Sequence, residues 1–209
     1  MNRFVRTIVA TAGLLALLVP AMGSADDDRD NDRRLRINLT GFQEVVPPNL
    51  GLGAIFSTGS GRLTLKIDKQ NQTIEYELTY SFPDAAATPI VGTQFVNQAH
   101  LHFGQKHTTG NINVWLCQSA DALAPPAVAA VTPQCPSPSG TVTGTIRPAQ
   151  VLALTSPPLA APGQGFPGGE PGFEALLEAL RNHAIYGNVH TDKFPSGEIR
   201  AQFGDRGDD

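Results

Sequence analysis

Three histidines carry the most specific chemical signal in this 209-residue chain. His100 and His102 lie in Ala99-His-Leu-His-Phe-Gly104, and His190 lies in Tyr186-Gly-Asn-Val-His-Thr191. In a strand, residues i and i+2 point to one face, so His100 and His102 project together with Leu101 opposite them. Their Cβ atoms stand about 6.7 Å apart along the strand, and tilting the rings brings two nitrogens within reach of one ion. A third imidazole from a neighbouring strand, such as His190, completes a three-nitrogen site. Imidazole suits copper, zinc and nickel, and three histidines with an open position is an arrangement found in catalytic zinc sites. The plainer alternative is that the pair bonds to polar neighbours or faces solvent. His107 falls in a loop, where it reads as an ordinary polar residue or a fourth ligand. His183 stands near a helix C-terminus, where a cation is favourable.

A ligating histidine needs an acceptor on its second ring nitrogen. Glu44, Asp192 and Glu198 are the carboxylates considered for that role, although each also reads as a surface or turn residue. Glu198 and Arg200 share a strand face, which suggests an ion pair with other strands. The sequence holds no glycine-rich phosphate loop, nucleophile elbow, paired-cysteine zinc motif or dinucleotide fingerprint. No general base stands out beside the histidines, and an enzyme at a metal normally needs one.

The elements that must position these residues are strands. Leu63, Leu65 and Ile67 alternate with Arg62, Thr64 and Lys66. Ile74, Tyr76, Leu78, Tyr80 and Phe82 alternate with Thr73, Glu75, Glu77, Thr79 and Ser81. Period-two patterning of this length means strands with one buried side, and Asp68 to Asn71 makes them an antiparallel hairpin. Further strands fit residues 36–39, 54–58, 97–103, 112–118, 141–147, 185–191 and 198–203. Phe173, Leu176, Leu177 and Leu180 fall at helical spacing, with Pro171 near the start and Asn182 near the end. Residues 119–140 and 156–172 are rich in Pro with Ala, Ser or Gly, and read as disorder or surface excursions. The expected fold is all-β: an antiparallel sandwich of seven to nine strands, immunoglobulin-like or superoxide-dismutase-like, with one short helix. Val114, Leu116, Val142, Ile146, Val189 and Ile199 should join the two hairpin rows in the core.

Residues 1–25 have the order of a secretory signal peptide. Arg3 and Arg6 precede an apolar run from Thr7 to Pro20, and small residues follow up to Ala25. The expectation is a secreted or periplasmic protein with no membrane span after cleavage. Residues 26–34, DDDRDNDRR, contain nothing to bury and read as a disordered acidic tail, and residues 204–209 as a second tail. The formal charge is −4, and loss of Arg3 and Arg6 makes it two units more negative. A net acidic chain without a basic patch is a poor partner for nucleic acid. Cys117 and Cys135 are the two cysteines, and in an oxidising compartment a disulfide is expected. Closing their loop would stabilise by about 3 kcal/mol on the chain-entropy view.

Several segments together resemble the CHRD family, the domain first recognised in chordin. Leu39-Thr-Gly-Phe-Gln-Glu44-Val-Val-Pro47-Pro48 is similar to its opening motif, lengthened here by Val45-Val46. Gly59-Ser-Gly61 through Tyr80 resembles its glycine-then-hairpin segment, and Ala99 to Gly104 its His-hydrophobic-His signature. Residues 173–180 resemble its Leu-rich helix. Asn188-Val-His190-Thr191, followed by Pro195-Ser-Gly197-Glu198-Ile-Arg200-Ala-Gln202, resembles its closing motif. The likeness spans residues 35–203, with the two Pro-rich segments as insertions. It implies a fold and an extracytoplasmic address more than an activity. Recurrent polar positions of the family fall on His100, His102 and His190. The run His-Leu-His-Phe-Gly also resembles the copper-binding strand of copper–zinc superoxide dismutases, but too few histidines remain for a dinuclear site. The favoured reading is an exported binding module for an unknown protein or small ligand, holding one copper or zinc ion. The alternatives are a mononuclear copper or zinc enzyme, redox or hydrolytic, and a structural or adhesion protein without metal.

Overall fold

The computed structural model of the chain describes residues 32–46, 53–83, 95–154 and 163–204. Residues 1–25, which read as a signal peptide, most of the acidic run and residues 205–209 lie outside the described residues. Among the described residues, eight strands form one antiparallel sheet in the order β5-β4-β7-β8-β1-β2-β3-β6. In chain order they are β1 (Asp32–Thr40), β2 (Ser60–Asp68), β3 (Thr73–Ser81), β4 (Val96–Phe103), β5 (Asn111–Cys117), β6 (Ser139–Ile146), β7 (Ile185–Thr191) and β8 (Ile199–Gln202). The sheet curls until β5 and β6 approach each other, with Tyr76 Oη of β3 donating to the carbonyl of Leu116 in β5 at 2.8 Å. The all-β expectation therefore holds, and the strand count is the expected one.

The alternating rows build the hairpin as read. β2 and β3 pair in register from Ser60↔Ser81 to Asp68↔Thr73, and Leu63, Leu65, Ile67, Ile74, Tyr76, Leu78 and Tyr80 are all buried. β1 starts at Asp32, so the last three residues of the expected tail extend the ladder opposite Asp68, Ile67 and Lys66. Arg33 and Arg34 keep their side chains in water while their backbone pairs. Val114, Leu116, Val142, Ile146, Val189 and Ile199 join the same core.

Residues 54–58 do not form a strand. Ile55 is buried and its neighbours Ala54 and Phe56 are exposed, which imitates strand alternation. The reason is geometric: β1 is already paired to β2 along its length and meets β8 at Thr40↔Arg200. The segment is fastened instead by Ile55 N–H to the carbonyl of Gly41 (2.9 Å) and by Ser57 Oγ to Glu198 Oε1 (2.5 Å).

Helix α2 (Gly169–Arg181) buries Phe173, Leu176, Leu177 and Leu180 against the core, and begins four residues before Phe173. A single turn, α1 (Pro126–Ala129), lies in the first Pro-rich segment. That segment is an ordered excursion. Gln118 holds it from the inside, its Nε2 donating to the carbonyls of Ala129 and Thr132 and its Oε1 accepting from Ala124 N–H. The Cys117–Cys135 disulfide closes its base. No helix among the described residues is long and apolar enough to cross a membrane.

Replacing both cysteines by serine should lower the unfolding free energy by about 3 kcal/mol, read from the urea midpoint at constant slope. A loss below about 1 kcal/mol would show that the Gln118 bonds alone hold the excursion.

Candidate metal centre

The pairing of β4 with β7 and of β7 with β8 sets the site. The registers Gln98↔His190, His100↔Asn188 and His102↔Tyr186 continue as Asn188↔Arg200 and Tyr186↔Gln202. One face of these strands turns to the core. A Cβ at Gly187 would stand 2.9 Å from Leu63 Cδ2, so a side chain there would have to push the Leu63 methyl aside. The opposite face is the outer face of the sheet, and it carries His100, His102, Tyr186, Asn188, His190, Arg200 and Gln202. An outer face is usually wet and polar, yet all of these residues are buried.

Loops cover them and supply their partners. Residues 104–110 fold over β4 and β8. His102 Nδ1 donates to the carbonyl of Gly110 at 2.9 Å, Arg200 donates to the carbonyls of Thr108 (2.8 Å) and Gln105 (3.4 Å), and Gln202 donates to the carbonyl of Gly104 at 3.0 Å. Residues 194–197 fold over the end of β7, where His190 Nδ1 donates to the carbonyl of Pro195 at 2.9 Å. A carbonyl can only accept, so both rings carry their hydrogen on Nδ1 and present a lone pair on Nε2.

The trio converges. The ligand atoms of His100, His102 and His190 all lie within 4.8 Å of one another. His100 Nδ1 stands 3.3 Å from His190 Nε2. Two nitrogens bound to one tetrahedral ion at zinc–imidazole bond lengths are separated by about 3.3 Å, so this pair already has ligand spacing. His102 Nε2 and His100 Nε2 are buried without a hydrogen-bond partner. A buried polar atom left without a partner costs roughly 1–3 kcal/mol, and an ion at the centre of the trio would supply one to His102 Nε2.

Burial also keeps the rings uncharged. Desolvation pulls His100 well below the ordinary imidazole range, with the charges of His190 and His102 acting in the same direction. His102 is lowered to about 3 by burial first and then by His190, and His190 is lowered to about 4 by burial. Neutral imidazole is the form that binds metal. Aromatic contacts fix the rings from outside. Tyr186 stacks on His102 with centroids 4.7 Å apart and planes 3° apart, and Arg200 Cζ lies 3.4 Å from the centre of the Tyr186 ring. Trp115 of β5 meets His100 edge-on at 4.3 Å.

The three carboxylates go to different places. Glu44 is buried next to Asn188 and Arg200. Desolvation raises it to about 7, against the lowering effects of Val45 N–H, Arg200 and Asn188. Glu198 accepts from Ser57 Oγ and from Thr191 Oγ1 (2.6 Å), so it ties two segments together at the end of β7. In place of an ion pair with another strand, Glu198 is met by these hydroxyls and Arg200 by the loop carbonyls. Asp192 follows β7, its N–H donating to the carbonyl of Phe95. The acceptors on the second nitrogens of His102 and His190 are thus main-chain carbonyls. His107 is exposed in the 104–110 loop, and His183 sits just beyond α2. Tyr186, Asn188, Arg200 and Trp115 were not singled out for the site from the sequence. Tyr186 and Asn188 were reachable, because they stand two and four residues before His190 on one strand face.

The stability of the metal-free protein should fall as pH drops from 6.5 to 5. Each depressed imidazole takes up a proton on unfolding in this window, so the unfolded state binds more protons and gains as pH falls. Glu44 opposes this, since its raised pKa leaves the folded carboxyl protonated where the unfolded one is ionised. Urea unfolding of Glu44→Gln should therefore show a steeper fall than the parent, by up to about 1.4 kcal/mol per pH unit. An equal or shallower slope would contradict the placement of Glu44.

No curated protein and no solved structure matches the chain. The CHRD domain family does match, over residues 35–203, which takes in every strand of the site and both covering loops. With that match covering well over half of its length, the chain belongs to the CHRD domain family.

Proposed function

We propose that this CHRD domain is an exported module that holds one transition-metal ion on His100, His102 and His190. The observation that carries the reading is the convergence of three neutral imidazoles, two with tautomers set by carbonyls and two with buried Nε2 atoms that have no partner. An all-nitrogen donor set suits copper and zinc over magnesium and calcium, which prefer oxygen. Export is supported by the disulfide, by the likeness of residues 1–25 to a signal peptide, and by the family. The rings are at most 7 % exposed. So closed an arrangement favours keeping an ion over turning a substrate over at it, and the module is read as binding its ion for structure or storage.

Trp115 is the chain's one tryptophan and touches His100, so its fluorescence reports on the site. Cu(II) added to tag-free protein should quench it with one-to-one stoichiometry, and Zn(II) should raise the melting temperature by mass action. His100→Ala and His190→Ala should each abolish both effects. Quenching that survives in both variants would place the ion elsewhere. Gly110→Ala should weaken binding at least tenfold, because a Cβ there would lie 1.9 Å from the carbonyl oxygen of Phe103 and displace the loop that orients His102.

A further inference from the structure

Asn188 stands in the middle of the histidine face. It pairs in register with His100 on one side and Arg200 on the other, and lies between Tyr186 and His190 along β7. It is 3 % exposed, and its Oδ1 is buried without a hydrogen-bond partner. The two ends of the amide are told apart by what they meet. A hydrogen bond joins the amide to the Glu44 carboxyl. Both groups crowd beneath Gly197, where a Cβ would stand 2.5 Å from Glu44 Oε2 and 3.0 Å from Asn188 Nδ2. A carboxylate only accepts, so Nδ2 donates there and Oδ1 turns the other way. On that side Asn188 meets His102, toward which it acts as an acceptor.

Asn188 Oδ1 and His102 Nε2 face each other with lone pairs alone. His102 carries its hydrogen on Nδ1, where the Gly110 carbonyl takes it, so Nε2 has nothing to donate to the amide. Two acceptors buried side by side need a positive centre between them. His190 Nε2 brings a third lone pair to the same place, because its Nδ1 hydrogen goes to Pro195. We infer that Asn188 Oδ1 is the fourth ligand of the ion held by His100, His102 and His190, and that this ion is Zn(II). The inference rests on the metal reading and deepens it. Three nitrogens and one oxygen make a tetrahedral set, the closed arrangement of structural zinc rather than the open one of a catalytic centre. A hard amide oxygen in the set also disfavours Cu(I), which prefers soft sulfur ligands. Glu44 stands behind the new ligand. In its ionised form it takes the Nδ2 hydrogen, which fixes the amide and strengthens Oδ1 as a donor.

Zinc affinity of the tag-free protein is read by competition with a chromophoric chelator, and the ligand set by the visible d–d bands of the Co(II) form. Asn188→Leu should bind Zn(II) at least about tenfold more weakly than the parent, and its Co(II) bands should move. A melting curve of the metal-free variant checks that it folds. Asn188→Asp combined with Glu44→Gln keeps a hydrogen bond between the two side chains and puts a carboxylate oxygen on the ion. That double variant should bind Zn(II) at least as tightly as the parent, a rescue that a residue serving only to pack the site would not give. Should Asn188→Leu fail to fold, the double variant decides alone. The inference is overturned if Asn188→Leu keeps the parent's affinity or its Co(II) bands, or if the double variant loses zinc. A parent that binds copper but not zinc also overturns it, and leaves the histidine site standing. A parent that takes up neither metal refutes the histidine site as well.

Discussion

A central strand buried on both faces constrains everything around it. All seven residues of β7 are buried, with Ile185, Gly187 and Val189 toward the core and Tyr186, Asn188 and His190 toward the outside. On the core side, packing answers the burial. On the outer side, polar groups removed from water need protein partners, or each costs as much as a lost hydrogen bond. The 104–110 and 194–197 loops bend back over the sheet and meet most of that need with carbonyls. His100 Nε2, His102 Nε2 and Asn188 Oδ1 remain without a partner on this face.

Charge is arranged around the trio in layers. Arg200 is buried, but Gln105, Thr108 and Gln202 accept from it and Tyr186 lies under it, so it is a fixed cation one ring away from His102. Its field discourages protonation of His102, as do burial and His190. Glu44 balances Arg200, and its carboxyl is raised to about 7 because desolvation outweighs that cation. A divalent ion on the trio would add positive charge to the same region and favour the ionised form of Glu44. Glu44 and His102 are thus linked electrostatically through Arg200.

Much of this could be read in the sequence, for identifiable reasons. The rows at Leu63/Leu65/Ile67 and Ile74 to Tyr80 declare themselves because one face is wet and the other dry. His100 and His102 pair by strand parity alone, His190 is the third imidazole that a neighbouring strand could bring, and the family likeness falls on all three. The cover was not legible. That Gly110 and Pro195 would offer their carbonyls depends on loop paths, and any residue type has a carbonyl to offer. Nor could sequence show that the outer face of β7 is buried, because Tyr186, Asn188 and His190 look like an ordinary wet face. The same ambiguity made residues 54–58 resemble a strand when no free sheet edge was waiting for them.

The use of main-chain acceptors has an evolutionary consequence. Any amino acid placed at Pro195 still has a carbonyl oxygen, and so does any residue the path of the chain tolerates near Gly110. Apart from Gly110 and Gly197, where a Cβ would crowd its neighbours, side chains in the covering loops are therefore free to drift while the imidazole tautomers stay the same. Selection would act on loop length and backbone course, leaving the surface above the histidines as the part of the molecule most open to change between species.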